Sequence, residues 1–281
     1  MRRIAVFVAC IMLIATSVPA SAFATDYDEN SPSASIHQAY DNVRIQDEVS
    51  ELSIEMKEAR NDGVINKNEV DSILSTNTYS PEALEEYERI CEREASEALC
   101  DYELILEGEN YTRDIIDLES GGQIIIESTV DGDESSSSLS LDEARAGKTK
   151  GPLWQAYGTH KYKTTVTIIT LGYCTATLKS TYKLSKSGIE LTGKSSDLSV
   201  KIGYIEALKY NSYYEKKKAG KGSACKLLGK YKYKVIVPVL GFTVGTYFEK
   251  IRQTITCVDI STKNSKVKVK LASKSWKDSE W

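Results

Sequence analysis

Two histidines, three methionines, four phenylalanines and five prolines are all that 281 residues contain of these types. The two histidines, His37 and His160, stand in no metal-ligand spacing with cysteine, so neither a metal nor a cofactor is expected. No Gly-x-Ser-x-Gly, glycine-rich phosphate loop or His-Glu-x-x-His occurs, which removes the familiar hydrolase, nucleotide and zincin signatures. Beyond Val18 no apolar run is long enough to span a bilayer. Residues 151–281 hold just eight acids, none in an obvious pair, so glycosidase-type carboxylate chemistry has no visible seat there. The chain is therefore expected to be non-enzymatic.

What is present begins with an export pattern. Arg2 and Arg3 precede the apolar run Ile4–Val18; Pro19 breaks it, and Ala-x-Ala follows at Ala20–Ala22 and Ala22–Ala24. This reads as a secretory signal cleaved after Ala24, or after Ala22, and places the working protein outside the cytoplasm.

Export permits disulfides. Five cysteines follow the signal: Cys91, Cys100, Cys174, Cys225 and Cys257. An odd number leaves at least one thiol over. Cys91 and Cys100 are a local candidate pair, and Cys174 with Cys257 the favoured long-range one. The alternative is that all five are free, buried residues.

The net charge of −4 conceals a split. Residues 25–150 hold 10 Lys+Arg and 32 Asp+Glu, net −22, whereas residues 151–281 hold 24 and 8, net +16. Such asymmetry speaks of partners rather than fold.

Periodicity divides the chain further. Helical spacing predicts an acidic helical region over 25–108: a helix over 36–60, a second over 67–75, and a third opened by Ser80-Pro81. Within 109–130, two apolar runs around Ser120-Gly121-Gly122 predict a β-hairpin. Residues 131–150, with four consecutive serines, read as a linker whose Arg145, Lys148 and Lys150 are open to proteolysis. From Gly151, Thr, Val, Ile, Tyr and Lys alternate, predicting six to eight antiparallel strands in a sandwich or barrel over 151–281. The fold class is α+β by segregated regions.

Two smaller patterns have plain readings beside sharper ones. Glu58–Glu69 ends like a calcium loop, with Gly63, Ile65 and Glu69 in place, but Glu58 and Arg60 spoil its first half. Asn66 and Glu69 as a helix capping box explain the same residues. Lys161-Tyr162-Lys163…Leu171-Gly172-Tyr173 returns 69 residues later as Lys230-Tyr231-Lys232…Leu240-Gly241-Phe242. Similar hairpins on opposite sheets, or an internal duplication, both account for it.

Lysine carries the functional expectation. Lys216, Lys217 and Lys218 follow Tyr213-Tyr214, and strand alternation puts Lys230, Lys232 and Lys234 on one face with Tyr231, Tyr233 and Val235 on the other. A row of cations attracts anionic polymers and membranes, although lysines also guard exposed strands against aggregation. Aromatics that point away from the cations argue against nucleic acid. Opposite charges in the two halves make intramolecular contact, and masking by the acidic half, a further expectation.

The segments Asp117–Ile124 and Tyr157–Ser261 resemble those of a loosely defined group of uncharacterised secreted Gram-positive (Firmicute-type) proteins. These have a signal peptide, a variable acidic N-terminal region and a C-terminal β-sandwich of Ser/Thr/Tyr-rich strands. The resemblance implies architecture and no site residues. The expectation is a secreted protein whose basic β-domain binds an anionic envelope polymer or membrane surface. The alternatives are an antimicrobial or toxin-like effector with an acidic pro-region and, third, a hydrolase with an unrecognised site.

Overall fold

The computed structural model describes residues 32–60, 63–76, 78–106, 110–131, 152–200, 205–237 and 242–278. The expected signal segment, all but Asp131 of the expected 131–150 linker, and the Leu240-Gly241 turn lie outside them. Residues up to Asn42 group apart from a compact unit, Val43–Trp281, which holds both sheets.

Three helices come first: α1 (Pro32–Ala59), α2 (Lys67–Thr76) and α3 (Pro81–Cys100). Ser80 caps α3 by accepting from the Ala83 amide at 3.3 Å, with Pro81 in the first turn. At α2 the capping box is reciprocal: the Asn66 amide donates to Glu69, and the Glu69 amide donates to the Asn66 side chain. Glu69, the last residue of the calcium-loop resemblance, is thus taken by helix capping.

Twelve strands follow among the described residues, in two antiparallel sheets, neither closed into a barrel. The first sheet runs β1 (Glu103–Leu106), β12 (Lys266–Asp278), β11 (Phe242–Ser261), β10 (Ala224–Val237), β8 (Ile205–Lys216), with β4 (Leu153–Ala156) also on β12. The second runs β2 (Tyr111–Asp117), β3 (Gln123–Val130), β5 (Gly158–Ile169), β6 (Tyr173–Ser185), β7 (Gly188–Val200), β9 (Lys218–Ala219). Beyond Gly151 there are nine strands rather than six to eight; short β4 and β9 carry too little alternation to stand out. The hairpin β2–β3 forms as expected and continues into the second sheet, because β3 pairs with β5 over its whole length.

The hairpin turn joins helices to sheets. Gly121 has φ +103°, and a Cβ there would come within 2.8 Å of Met56 and 2.9 Å of the Ser53 carbonyl. Only glycine lets the turn press this closely on α1. Ser53 donates to the Ser120 carbonyl at 2.6 Å, and Ser120 donates through its amide and hydroxyl to Glu94 of α3.

Between the sheets the contacts are reciprocal. Tyr162 of β5 hydrogen-bonds Ser273 of β12 at 2.6 Å, and Tyr231 of β10 donates to the Thr177 carbonyl of β6 at 2.6 Å. Both rings are fully buried. These tyrosines are the centres of the two Lys-Tyr-Lys repeats, so the matching hairpins β5–β6 and β10–β11 lie on opposite sheets, each sending its tyrosine across to the other.

The expected disulfides are absent: all five cysteines are free thiols. Cys91 and Cys100 lie nine residues apart on α3, half a turn out of phase and about 13 Å along the axis; one is buried and the other exposed. Cys174 neighbours Glu249 electrostatically, and Cys257 lies eight residues further along β11, about 27 Å away. Neither pair can reach disulfide geometry.

Candidate functional site

Strand alternation works in β10 as its sequence predicts. Tyr231, Tyr233 and Val235 are buried, while Lys230, Lys232 and Lys234 are half-buried on the opposite face. The triplet Lys216–Lys218 is exposed at the corner where the chain leaves the first sheet for the second: Lys216 opposes Lys226 in one, and Lys218 opposes Glu190 in the other. Lys218 also lines a groove of about 430 Å³ with Lys183, Ser185 and Glu190.

Register assembles more than the lysine row of one strand. On the outer face of the first sheet, Lys232 stands opposite Lys209, Lys230 opposite Lys250, Lys226 opposite Lys216, and Arg252 opposite Lys274. Lys250, Arg252 and Lys274 were not among the sequence candidates, because nothing local says which strand lies beside β10.

Aromatic rings share this face. Lys230 lies over Tyr213 (5.8 Å to the ring centroid), Lys232 over Phe248 (5.3 Å), Arg252 over Trp276 (5.0 Å) and Lys268 over Trp154 (5.9 Å). The inward direction of Tyr231 and Tyr233 is as expected, but the inference that the face lacks aromatics is corrected: its rings come from β4, β8, β11 and β12.

The carboxylates that meet these cations are local. Arg252 makes a two-pronged pair with Glu215 (2.7 and 2.8 Å), Lys234 meets Glu206 at 2.7 Å, and Lys250 pairs with Asp278. All belong to the basic half. Lys216, Lys217, Lys230, Lys232 and Lys274 have no ion pair among the described residues.

The acidic half meets the same strands from behind. Between outward Trp276 and Asp278, Lys277 points inward; its side chain is 7% exposed and its ammonium donates to Glu92 of α3 at 2.9 Å and to the Tyr233 hydroxyl. Glu249, directly opposite Lys277, accepts from Ser275 at 2.8 Å through one oxygen; its other oxygen is buried without a partner. Glu88, one turn before Glu92, accepts from Thr170 at 3.1 Å and from the Leu171 amide at 3.5 Å.

Three carboxyls and one ammonium thus share an interior. Burial first, and Glu92 second, push the Glu88 carboxyl up to about 7; burial likewise pushes Glu249 up to about 7, against the pull of Lys277. Burial would lower the Lys277 ammonium, but Glu92 and Glu249 outweigh it and hold it above its usual value. The set has catalytic residue types, yet Glu88 and Glu249 are 1% and 0% exposed and offer a ligand no surface as packed.

The other candidates are structural in their contacts. His160 hydrogen-bonds Asp131 at 2.5 Å and the Ala156 carbonyl at 2.9 Å, and stacks on Tyr182. No group of three or more His, Cys, Asp or Glu suited to a metal occurs among the described residues. No described helix is long and apolar enough to cross a membrane.

Comparison of the chain with protein-family models, with curated proteins and with solved structures finds no match in any of the three.

Proposed function

We propose that this is an exported, non-enzymatic binding protein that uses the outer face of its first sheet, within a basic β-sandwich, to hold an anionic polymer or membrane surface of the cell envelope. One observation carries the reading. Four pairs of cations stand directly opposite one another across neighbouring strands. Like charges so placed destabilise a sheet, and a merely solvated face would interleave the signs. An anionic ligand turns that cost into affinity.

The export half of the reading rests on Arg2-Arg3, the Ile4–Val18 run and the Ala-x-Ala sites. The acidic half is assigned support of the sheet from behind, through Glu92 and Lys277, rather than a mask over the lysines.

Binding of the purified protein to poly(glycerol phosphate) and to phosphatidylglycerol vesicles, titrated calorimetrically at low and at physiological salt, tests this. Affinity should fall steeply with salt and should drop when Lys216, Lys217, Lys218, Lys230, Lys232 and Lys234 become serine. Unchanged binding by that variant at low salt would overturn the reading.

A further inference from the structure

Register spreads the cations over the whole outer face of the first sheet. β12 turns Lys266, Lys268, Lys270 and Lys274 outward, while Val267, Val269 and Leu271 between them are buried. β10 turns out four more, and β8 and β11 two each, which makes twelve basic side chains among the described residues. Every outward row that crosses the strands between Lys266 and Lys234 holds at least one of them, and four rows hold two. The field spans about 14 Å across β8 to β12 at about 4.8 Å per strand, and β10 and β12 each carry it over about 27 Å at about 3.4 Å per residue.

Five acids among the described residues reach the same face. Glu206 meets Lys234, Glu215 meets Arg252 and Asp278 meets Lys250, while Asp259 stands opposite Lys268 and Glu103 opposite Lys274. Twelve against five leaves a positive excess however the individual lysines are paired. Exposed rings stand at both margins: Trp154 on β4, at one edge of the sheet, is 46% exposed, and Tyr213 on β8, at the other, 38%. Register puts both on the outer side, Trp154 opposite Lys268 and Tyr213 opposite Leu228.

Resting on the binding reading above, we infer that the occupant of this face is an anionic lipid surface: phosphate headgroups meet the cations, and Trp154 and Tyr213 enter the headgroup layer at the two margins. A lipid surface is a field of charge in two dimensions, as this face is, and attracts each Lys or Arg near it by about 1 kcal/mol. Tryptophan and tyrosine favour the membrane interface, where the apolar ring and its polar tip are both accommodated. A polyanion in solution uses the cations and has no use for rings exposed at the edges. Lys268 lies over Trp154 and Lys230 over Tyr213, at 5.9 and 5.8 Å from the ring centroids, so each margin presents ammonium and ring together.

The test uses two variants of the purified protein, Lys266→Ser/Lys268→Ser/Lys270→Ser among the cations and Trp154→Ala/Tyr213→Ala at the margins, with thermal melts to confirm that both fold. The probes are phosphatidylglycerol vesicles, phosphatidylcholine vesicles and poly(glycerol phosphate). The unaltered protein should bind phosphatidylglycerol vesicles more tightly than the polymer, and phosphatidylcholine vesicles hardly at all. The lysine variant should bind the anionic vesicles roughly 100-fold more weakly. The ring variant should lose vesicle affinity and keep its affinity for the polymer. Tryptophan emission should shift to the blue on anionic vesicles, and the shift should be smaller in Trp154→Phe. Polymer bound more tightly than the vesicles, or vesicle binding that both rings can be removed without weakening, would overturn the lipid assignment and leave the anionic-ligand reading intact. No binding to vesicles or polymer at low salt would overturn both readings.

Discussion

The outer and inner faces of β10–β12 handle positive charge in opposite ways, one residue apart. Outside, Lys230 and Lys250 face each other and keep partial contact with water. Inside, Lys277 is the single ammonium among the described residues that lies with Glu88, Glu92 and Glu249, buried beneath α3. An exposed ion pair contributes little, while a buried charge without its partner is costly. The inner lysine should therefore matter to folding and little to binding, and the outer ones the reverse.

The strongest way to break that contrast is Lys277→Met. It strands three carboxyls in an interior with no cation and should lower stability by about 3–5 kcal/mol in urea denaturation. Adding Glu92→Leu should recover part of the loss, since removing both partners leaves less uncompensated charge. A loss under about 1 kcal/mol would mean that the inner cluster is solvated like the outer face.

Next in size is the response to pH. In the unfolded chain Glu88 and Glu249 release protons near 4.5, whereas in the folded protein both hold them to about 7. Between these values the native state binds more protons, so stability falls as pH rises. The contribution is full below about 4.5 and is lost as pH passes through about 7. At 1.36 kcal/mol per pKa unit the loss is up to about 3 kcal/mol per group. Chemical denaturation at pH 5 and pH 8 should show the protein more stable at pH 5, and Glu249→Gln should flatten the profile. Equal stability at both pH values in the unaltered protein would show that the carboxyls are not held neutral.

How much of this was legible beforehand follows the range of each interaction. Local chemistry was readable: the Ser80-Pro81 start of α3, the Asn66/Glu69 box, the Ser120-Gly122 turn and the alternation in Lys230–Lys234 all act within a few residues. Pairing between distant segments was not. The strand Glu103–Leu106 exists because β12 lies beside it, and its four residues carry no period of their own. Lys277 sits in the pattern Trp-Lys-Asp, which reads as a polar strand end, and its burial depends on α3 arriving from 185 residues upstream. The basic outer face was half visible for the same reason: β10 displayed its lysines, but Lys250, Arg252, Lys274 and the neighbouring rings joined them only through register. The disulfide expectation failed on geometry, since sequence proximity of Cys91 and Cys100 says nothing of the helix phase that separates them.

The smallest effect sharpens the contrast most, because two opposing interactions set it. Lys230 stands directly opposite Lys250 and has no ion pair of its own among the described residues. Lys230→Ser removes one of two facing cations and leaves Lys250 with Asp278. It forfeits a cation–π contact with Tyr213 worth about 0.5–1 kcal/mol at an exposed site, against relief of cross-strand repulsion of about 0.2–1 kcal/mol. Stability in low salt should thus change by under about 1 kcal/mol either way, and any stabilising component should shrink as salt screens the repulsion. A destabilisation beyond about 2 kcal/mol would mean that Lys230 belongs to the packed structure, as Lys277 does, and that the two faces are not different in kind. A near-zero change in folding beside a clear loss of affinity for the anionic ligand is the pattern expected of a side chain placed for a ligand.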